Sequence, residues 1–328
     1  MLDQFFSSIE HGWGLALILW FQSWRTPLIA NLALFFRAIG SEVVIMSVIL
    51  LIYWNYDKRL GRRLMPFLLL NSWVNAGLKA AFRRPRPFAI SQAVHPIAPE
   101  ISYGIPSGHA QNTTFIGGVV ANQTRRWWIL GVSVAYAILT TLSRLILGVH
   151  FPQDVLAGLI LGLLMLVIYG AVEPRAGKWF SSLTLAQQIG ALIAATLFML
   201  AIYPGLVQVS SPAWLPQAIL TSNLLLAPAL AIGLFLGIGL GLILEARYLN
   251  FDSHGTSRQR IIRFLLGFIG IAILYYGLRW MHSAPLSFVF DLLRFALIGF
   301  WAAYGAPWLF MKFGLSSRRQ QVALHAPS

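Results

Sequence analysis

The chain has no cysteine. That excludes disulfides, a thiolate nucleophile and any metal site built on sulfur ligands. Charge is also scarce. Only 10% of the 328 residues are charged, and only ten of these are acidic. A soluble domain carries about 25%, so the soluble globular class is excluded. The alternation of polar and apolar residues that marks a transmembrane barrel is missing too. The first twenty residues, MLDQFFSSIEHGWGLALILW, lack a basic leading segment, and no small-residue cleavage site follows. They read as an interfacial helix or part of a first span, not as a removed signal peptide.

What the chain has is long apolar runs. Hydrophobic residues make up 58% of it, and the runs recur from end to end, which defines a polytopic helical membrane protein. Candidate spans fall near 42–56, 64–80, 108–123, 127–143, 155–172, 187–204, 217–244, 261–281 and 288–311. Residues 12–40 carry Arg25 and Arg37, and Pro27 breaks any helix there. The net charge of +14 would suggest nucleic acid in a soluble protein. In a membrane protein it reflects basic cytoplasmic loops facing anionic headgroups, and no nucleic-acid partner is expected.

The basic residues also set the topology. With the loop DKRLGRR on the cytoplasmic side, that side receives Lys58, Arg59, Arg62 and Arg63. Alternation then adds Arg125, Arg126, Arg175, Lys178, Arg247, Arg258, Arg260, Arg263, Lys312, Arg318 and Arg319. These are fifteen of the 24 Lys and Arg. The opposite loops near 205–216 and 282–287 hold none. Such a bias fixes orientation. Five residues defy it, and they cluster: Lys79, Arg83, Arg84 and Arg86 in LKAAFRRPRPF, and Arg144 in SRLILGVHFPQD. Charge placed against the bias beside a membrane helix usually has a function.

A third stretch on that same face reads PSGH, Pro106 to His109. Lys79, Arg86 and Arg144 supply fixed positive charge, Arg as a planar fork and Lys as a point charge. Ser107 can donate a hydroxyl. Gly108 permits close backbone approach, and a helix starting there aims free N–H groups at an anion. Together they form a phosphate cradle. His150 and Asp154 are four residues apart and share a face if helical geometry begins there. The carboxylate can then orient one ring nitrogen and leave the other free. Pro152 suits the first turn of that helix. His109 comes from another helix and can move a proton near neutral pH. The residues alone leave open which histidine attacks.

These three segments resemble the type 2 phosphatidic acid phosphatase (PAP2) superfamily. That family's pattern is Lys, six residues, Arg-Pro; then Pro-Ser-Gly-His; then Ser-Arg, five residues, His, three residues, Asp. Here it reads Lys79…Arg86-Pro87, Pro106-Ser107-Gly108-His109 and Ser143-Arg144…His150…Asp154, with every spacing kept. The resemblance covers about residues 25–172. It implies an all-α membrane enzyme with a PAP2-type core bundle over 1–175. A C-terminal transmembrane bundle of about four spans, 176–328, follows without a motif. His150 would attack phosphorus and form a phosphohistidine, Asp154 would orient it, and His109 would protonate the leaving group and then activate water. Lys79, Arg86, Ser107, Gly108 and Arg144 would bind phosphate. The resemblance implies no metal and no cofactor, because the cationic cradle takes the part Mg²⁺ plays elsewhere.

The expected reaction is hydrolysis of a lipid phosphate or diphosphate at the outer face of a bacterial plasma membrane. Polyprenyl diphosphate, phosphatidylglycerol phosphate and phosphatidic acid are the candidates, with polyprenyl diphosphate preferred. The same motifs occur in glucose-6-phosphatases, so a soluble sugar phosphate is the alternative. A lipid acceptor in place of water would make the chain a phosphotransferase. A lipid-carrier transporter or flippase is a reading of another class, and transport surviving His150→Ala would favour it.

Other features receive structural readings. Arg83 and Arg84 lie outside the matched positions and could contact headgroups. His95, Glu100 and Tyr103, between the first two motifs, could shape specificity, though they read first as ordinary loop residues. Gly233, Gly237 and Gly241 permit close packing of helices inside the protein. Asp291 and Arg294 read as a structural intramembrane pair. His11, His254, His282 and His325 have no assigned role. Trp54, Tyr56, Trp127 and Trp128 fit an interfacial aromatic belt.

Overall fold

The computed structural model describes residues 2–100, 102–207, 217–278 and 287–319. His282, His325 and Arg279 lie outside these, as do most of the loops near 205–216 and 282–287. The described chain is helical: α1 (Leu2–Glu10), α2 (Trp13–Ser23), α3 (Pro27–Ile39), α4 (Glu42–Asn55), α5 (Lys58–Phe82), α6 (Pro87–Ile90), α7 (Gly108–Thr124), α8 (Trp127–Ile146), α9 (Pro152–Ser182), α10 (Leu185–Val207), α11 (Gln217–Leu244), α12 (Ser257–Gly277), α13 (Ser287–Phe300) and α14 (Ala306–Lys312). Short π-helical turns follow α11 and α13.

Among the described residues, six helical segments are long and apolar enough to cross a membrane: 127–146, 152–182, 185–202, 226–249, 257–277 and 288–312. The pair α3 and α4, bent by 50° at Gly40 and Ser41, makes a seventh if it is one span. Of the nine expected spans, α5 and α7 fall short of that apolar criterion among the described residues. The reason is visible in their inward faces. Gln111 of α7 donates to the Asn71 side chain at 2.7 Å and accepts from Asn75 at 2.7 Å, and Asn71 donates to Asn112 at 2.5 Å. All four are buried. Each polar group finds a partner inside the bundle, which makes their burial tolerable.

The chain divides into two compact units. The first comprises residues 1–46, 67–182 and 198–231. Within it α7 packs on both α8 and α9, and α3 packs on α8. Glycines allow the approach: a Cβ on Gly158 would meet the Ser107 carbonyl at 2.5 Å, and one on Gly162 the Gln111 carbonyl at 2.6 Å. The region around Pro27 resolves clearly. Pro27 opens α3, and Thr26 caps it by accepting from the Ile29 N–H. The segment before it is built into the core. Ile18 and Phe21 of α2 pack with Val94, Ala110, Leu145, Phe151 and Val155. Arg25 ties the corner down by donating to the carbonyls of Ile146 and His95.

The second unit comprises residues 47–66, 183–197 and 232–328. Its helices α11 and α13 meet along the glycine row, where a Cβ on Gly233 would strike the Leu292 carbonyl at 2.5 Å and one on Gly241 the Ala303 Cβ at 2.7 Å. The row therefore packs internally. Asp291 and Arg294 form a buried ion pair of 2.9 Å on one helix. Lys58 is buried and donates to Glu245 at 2.8 Å, Asn250 at 2.9 Å and the Phe251 carbonyl at 2.9 Å. Trp54 departs from the expected aromatic belt: it is fully buried against Phe268 and Phe310, with its N–H on the Ala302 carbonyl. Trp127, Trp128 and Tyr56 are exposed.

Candidate active site

The site lies in the first unit, where the α5–α6 connection, the start of α7, the end of α8 and the start of α9 converge. Asp154 sits in the first turn of α9, behind Pro152. Its Oδ2 accepts from the Phe151 N–H at 2.9 Å and lies 3.2 Å from His150 Nδ1. The other ring nitrogen, Nε2, is 3.1 Å from Arg86 Nη1. A guanidinium can only donate and a carboxylate can only accept. The ring proton therefore resides on Nδ1, facing Asp154, and the lone pair is on Nε2. Burial, followed by the charges of Arg86, Lys79 and Arg144, holds the His150 pKa well below its usual value. The imidazole is neutral at pH 7 and has a nucleophile's tautomer.

Arg86 is held rigidly. It donates to the carbonyls of Val149 and Ser102, each at 2.7 Å, and to the Ser102 hydroxyl at 2.8 Å. Lys79, at the last turn of α5, places its ammonium on the carbonyls of Tyr103 at 2.6 Å and Gly104 at 3.1 Å. It therefore fastens the loop after Arg86. Gly104 lies so close that a Cβ there would meet Asp154 Oδ2 at 2.9 Å. Ser107 precedes α7, with its backbone N–H on the Asp154 carbonyl at 2.9 Å. Gly108 is the first residue of that helix. The Ser107 hydroxyl makes no capping bond and points to no protein partner.

A carboxylate that sequence reasoning read as a loop residue occupies the centre. Glu100 accepts from Arg86 Nη2 at 3.1 Å through one oxygen and from Arg144 Nη2 through the other. The same two oxygens lie 4.0 Å from His150 Nε2 and 4.0 Å from His109 Nδ1. Arg37 of α3 brings its Nε to 3.9 Å. Burial alone would raise the Glu100 pKa, but Arg86 and Arg144 more than offset this and hold it well below the carboxylate range. One signal pointed to Glu100 in the sequence. It is the sole acidic residue between Asp57 and Asp154, a stretch crowded with cations.

Four buried polar atoms of the site residues have no hydrogen-bond partner among the described residues: Ser107 Oγ, His109 Nε2, Arg144 Nε and Arg144 Nη1. Unpaired buried polar atoms are costly, and Arg144 and His109, which carry three of these four, lie against Glu100. The structure thus brings His150, Asp154, His109, Arg86, Arg144 and Ser107 together, with Gly108 adjoining and Lys79 turned to the loop. Arg84 lies apart, paired with Glu10 and Asp3 of α1. His95 takes part only through its backbone, bonded to Gln22 and Arg25.

Fold and site define a helical integral membrane protein with an oriented imidazole facing a cationic anion site. Residues 62–177 match the family model of the PAP2 superfamily, and 229–318 match that of the PAP2 superfamily phosphatase, transmembrane extension. The chain belongs to the PAP2 superfamily. It is 31% identical over 142 residues to human (Homo sapiens) sphingosine-1-phosphate phosphatase 2, covering 41% of this chain and 35% of that one. It is 30% identical over 135 residues to undecaprenyl-diphosphatase of Sulfolobus acidocaldarius, covering 40% and 65%. Glucose-6-phosphatase 3 of Rattus norvegicus is 27% identical over 286 residues, covering 77% and 82%. The chain thus spans about a third to two thirds of the length of the first two relatives.

Proposed function

We propose that the protein is a membrane-embedded phosphatase that hydrolyses a lipid phosphate or diphosphate through a phosphohistidine on His150. The observation that carries this is one arrangement. The His150 lone pair is directed by Asp154, and it faces an anion held between two guanidiniums with His109 on the other side. In-line displacement needs the phosphoryl group between nucleophile and leaving-group acid. Glu100 marks that position.

In the first step His150 Nε2 forms a bond to phosphorus while the bond from phosphorus to the lipid oxygen breaks. His109, which takes up a proton as the phosphate anion enters beside it, gives that proton to the oxygen. The Arg86 N–H that rests on Nε2 turns to a phosphoryl oxygen and frees the lone pair. Asp154 stabilises the positive charge that the ring acquires. In the second step His109 takes a proton from water, the water oxygen attacks phosphorus, and the P–N bond breaks to release phosphate. Arg86, Arg144 and Ser107 hold the equatorial oxygens throughout. Each such preorganised donor is worth about 10²- to 10³-fold in rate. Lys79 fixes the loop that places them.

The excess of basic residues in the loops that alternate with this face supports an extracytoplasmic active site. The phosphate head would enter the cradle while the tail stays in lipid, as the names of the sphingosine-1-phosphate and undecaprenyl relatives suggest. A sugar phosphate is the second reading. What favours it is the glucose-6-phosphatase alignment, which covers 77% of the chain and so extends beyond residues 62–177 into the C-terminal bundle.

The test is phosphate release by the detergent-purified protein, in excess chelator, from C55 polyprenyl diphosphate, sphingosine 1-phosphate and glucose 6-phosphate in parallel. Turnover of a lipid substrate, lost in His150→Ala, is expected. Turnover of glucose 6-phosphate alone would replace the lipid reading by the sugar reading.

A further inference from the structure

Glu100 and Arg37 both stand outside the three motifs, yet both reach the anion site. Glu100 is the ligand of that site in this structure: its carboxylate lies on Arg86 and Arg144 and between both histidines. Arg37 arrives from α3, which precedes the segment that matches the PAP2 family model. Its Nε is buried, 3.9 Å from the same carboxylate oxygen, and has no hydrogen-bond partner among the described residues. Whatever anion takes the place of Glu100 meets this third guanidinium.

We propose that Arg37 is a further phosphate-binding residue, and that Glu100 is an internal anion which the substrate phosphate displaces from the site. The proposal rests on the reading of this site as a phosphate site. A carboxylate has two oxygens, and both are already engaged. A phosphoryl group presents three and carries more charge. It can satisfy Arg86 and Arg144 as Glu100 does. Its further oxygens offer acceptors to donors beside Glu100 that have no partner among the described residues, Arg144 Nη1 and Arg37 Nε. The exchange is favourable because the incoming anion makes more charge-assisted bonds than the outgoing one. In the free protein Glu100 offsets the repulsion of the clustered guanidiniums. Its presence lowers the apparent affinity of every phosphate ligand by the fraction of time it is seated.

The two residues give opposite signs in one measurement, the binding of inorganic phosphate to the full-length protein in detergent by calorimetry. Glu100→Gln is expected to tighten phosphate about tenfold or more, since a seated fraction of about 90% would cost that factor. Arg37→Ala is expected to weaken phosphate about tenfold, with Arg37→Lys in between. If Arg37 merely props Glu100, Arg37→Ala would instead tighten phosphate, and the Arg37 assignment falls. Equal binding by wild type and Glu100→Gln overturns the displacement. If Glu100→Gln fails to fold, Glu100→Asp, one methylene shorter, takes its place, with tighter phosphate expected and unchanged affinity counting against displacement. Absence of phosphate binding in every variant defeats the phosphate site itself, an outcome distinct from equal binding.

Discussion

Asp154→Asn replaces one oxygen by an amide nitrogen at a fully buried position and leaves the volume unchanged. The effect follows from the partners. Asp154 Oδ2 serves two donors, the Phe151 N–H at 2.9 Å and the His150 ring at 3.2 Å. Asparagine has one acceptor oxygen and one donor group. With its oxygen toward Phe151 and the ring, the geometry survives but the negative charge does not. With its amide nitrogen there, the ring must move its proton to Nε2, where Arg86 Nη1 already donates, and the lone pair is lost. In both cases the imidazolium-like charge of the proposed phosphohistidine would go uncompensated. Loss of the corresponding carboxylate in oriented-histidine sites costs about 10⁴-fold in kcat. Ser107, Arg86 and Arg144 remain, so a loss of about 10³- to 10⁴-fold is expected here, about 4–5.5 kcal/mol of barrier. KM should change little, because Asp154 is not aimed at the phosphate. Initial rates of phosphate release over a substrate series give both parameters. Asp154→Asn retaining more than a tenth of wild-type kcat would refute the reasoning.

Three further outcomes follow from the same geometry. His109→Ala should lose about 10²- to 10⁴-fold on an alkyl phosphate but far less on an aryl phosphate whose leaving group needs no proton; equal losses on both would remove His109 as the acid. Because burial and then Arg86 hold the His150 pKa well below its usual value, the free protein keeps the His150 imidazole, the proposed nucleophile, neutral as pH falls from 8 to 6. kcat/KM, with the separately titrated ionisation of the substrate divided out, should therefore show no acid limb near 6.5, and such a limb would contradict the assignment. In the second unit, Lys58→Ala strands the buried Glu245 carboxylate and should destabilise the protein by about 3–5 kcal/mol, whereas Lys58→Met with Glu245→Leu should come close to neutral; thermal unfolding in detergent compares them.

Most helical runs were legible because hydropathy marks them, but α5 and α7 carry polar inward faces, and Pro27, read as a helix breaker, instead opens α3. The motif spacing was legible because Arg86, His109, His150 and Asp154 sit at helix ends that the bundle brings together. Glu100 was not, since it lies in an aperiodic loop whose path is set by Lys79 and Arg86 gripping the carbonyls of Tyr103, Gly104 and Ser102. Those are tertiary contacts with no local pattern. Arg37 was hidden in another way. It reads as a charge interrupting an apolar run, and only the packing of α3 on α8 carries it to the site. Trp54 looked interfacial because aromatic residues near span ends commonly are. Its burial depends on Phe268 and Phe310, more than 200 positions away.

The covalent intermediate on His150 is the central claim. The most direct measurement is a rapid acid-free quench of the wild-type protein with ³²P-labelled substrate, followed by mapping of the labelled peptide. A base-stable, acid-labile label on the peptide containing His150, absent in His150→Ala and accumulating when His109 is replaced on an aryl phosphate, is the predicted result. A label on any other residue, or single-turnover phosphate release that survives in His150→Ala, would contradict the account.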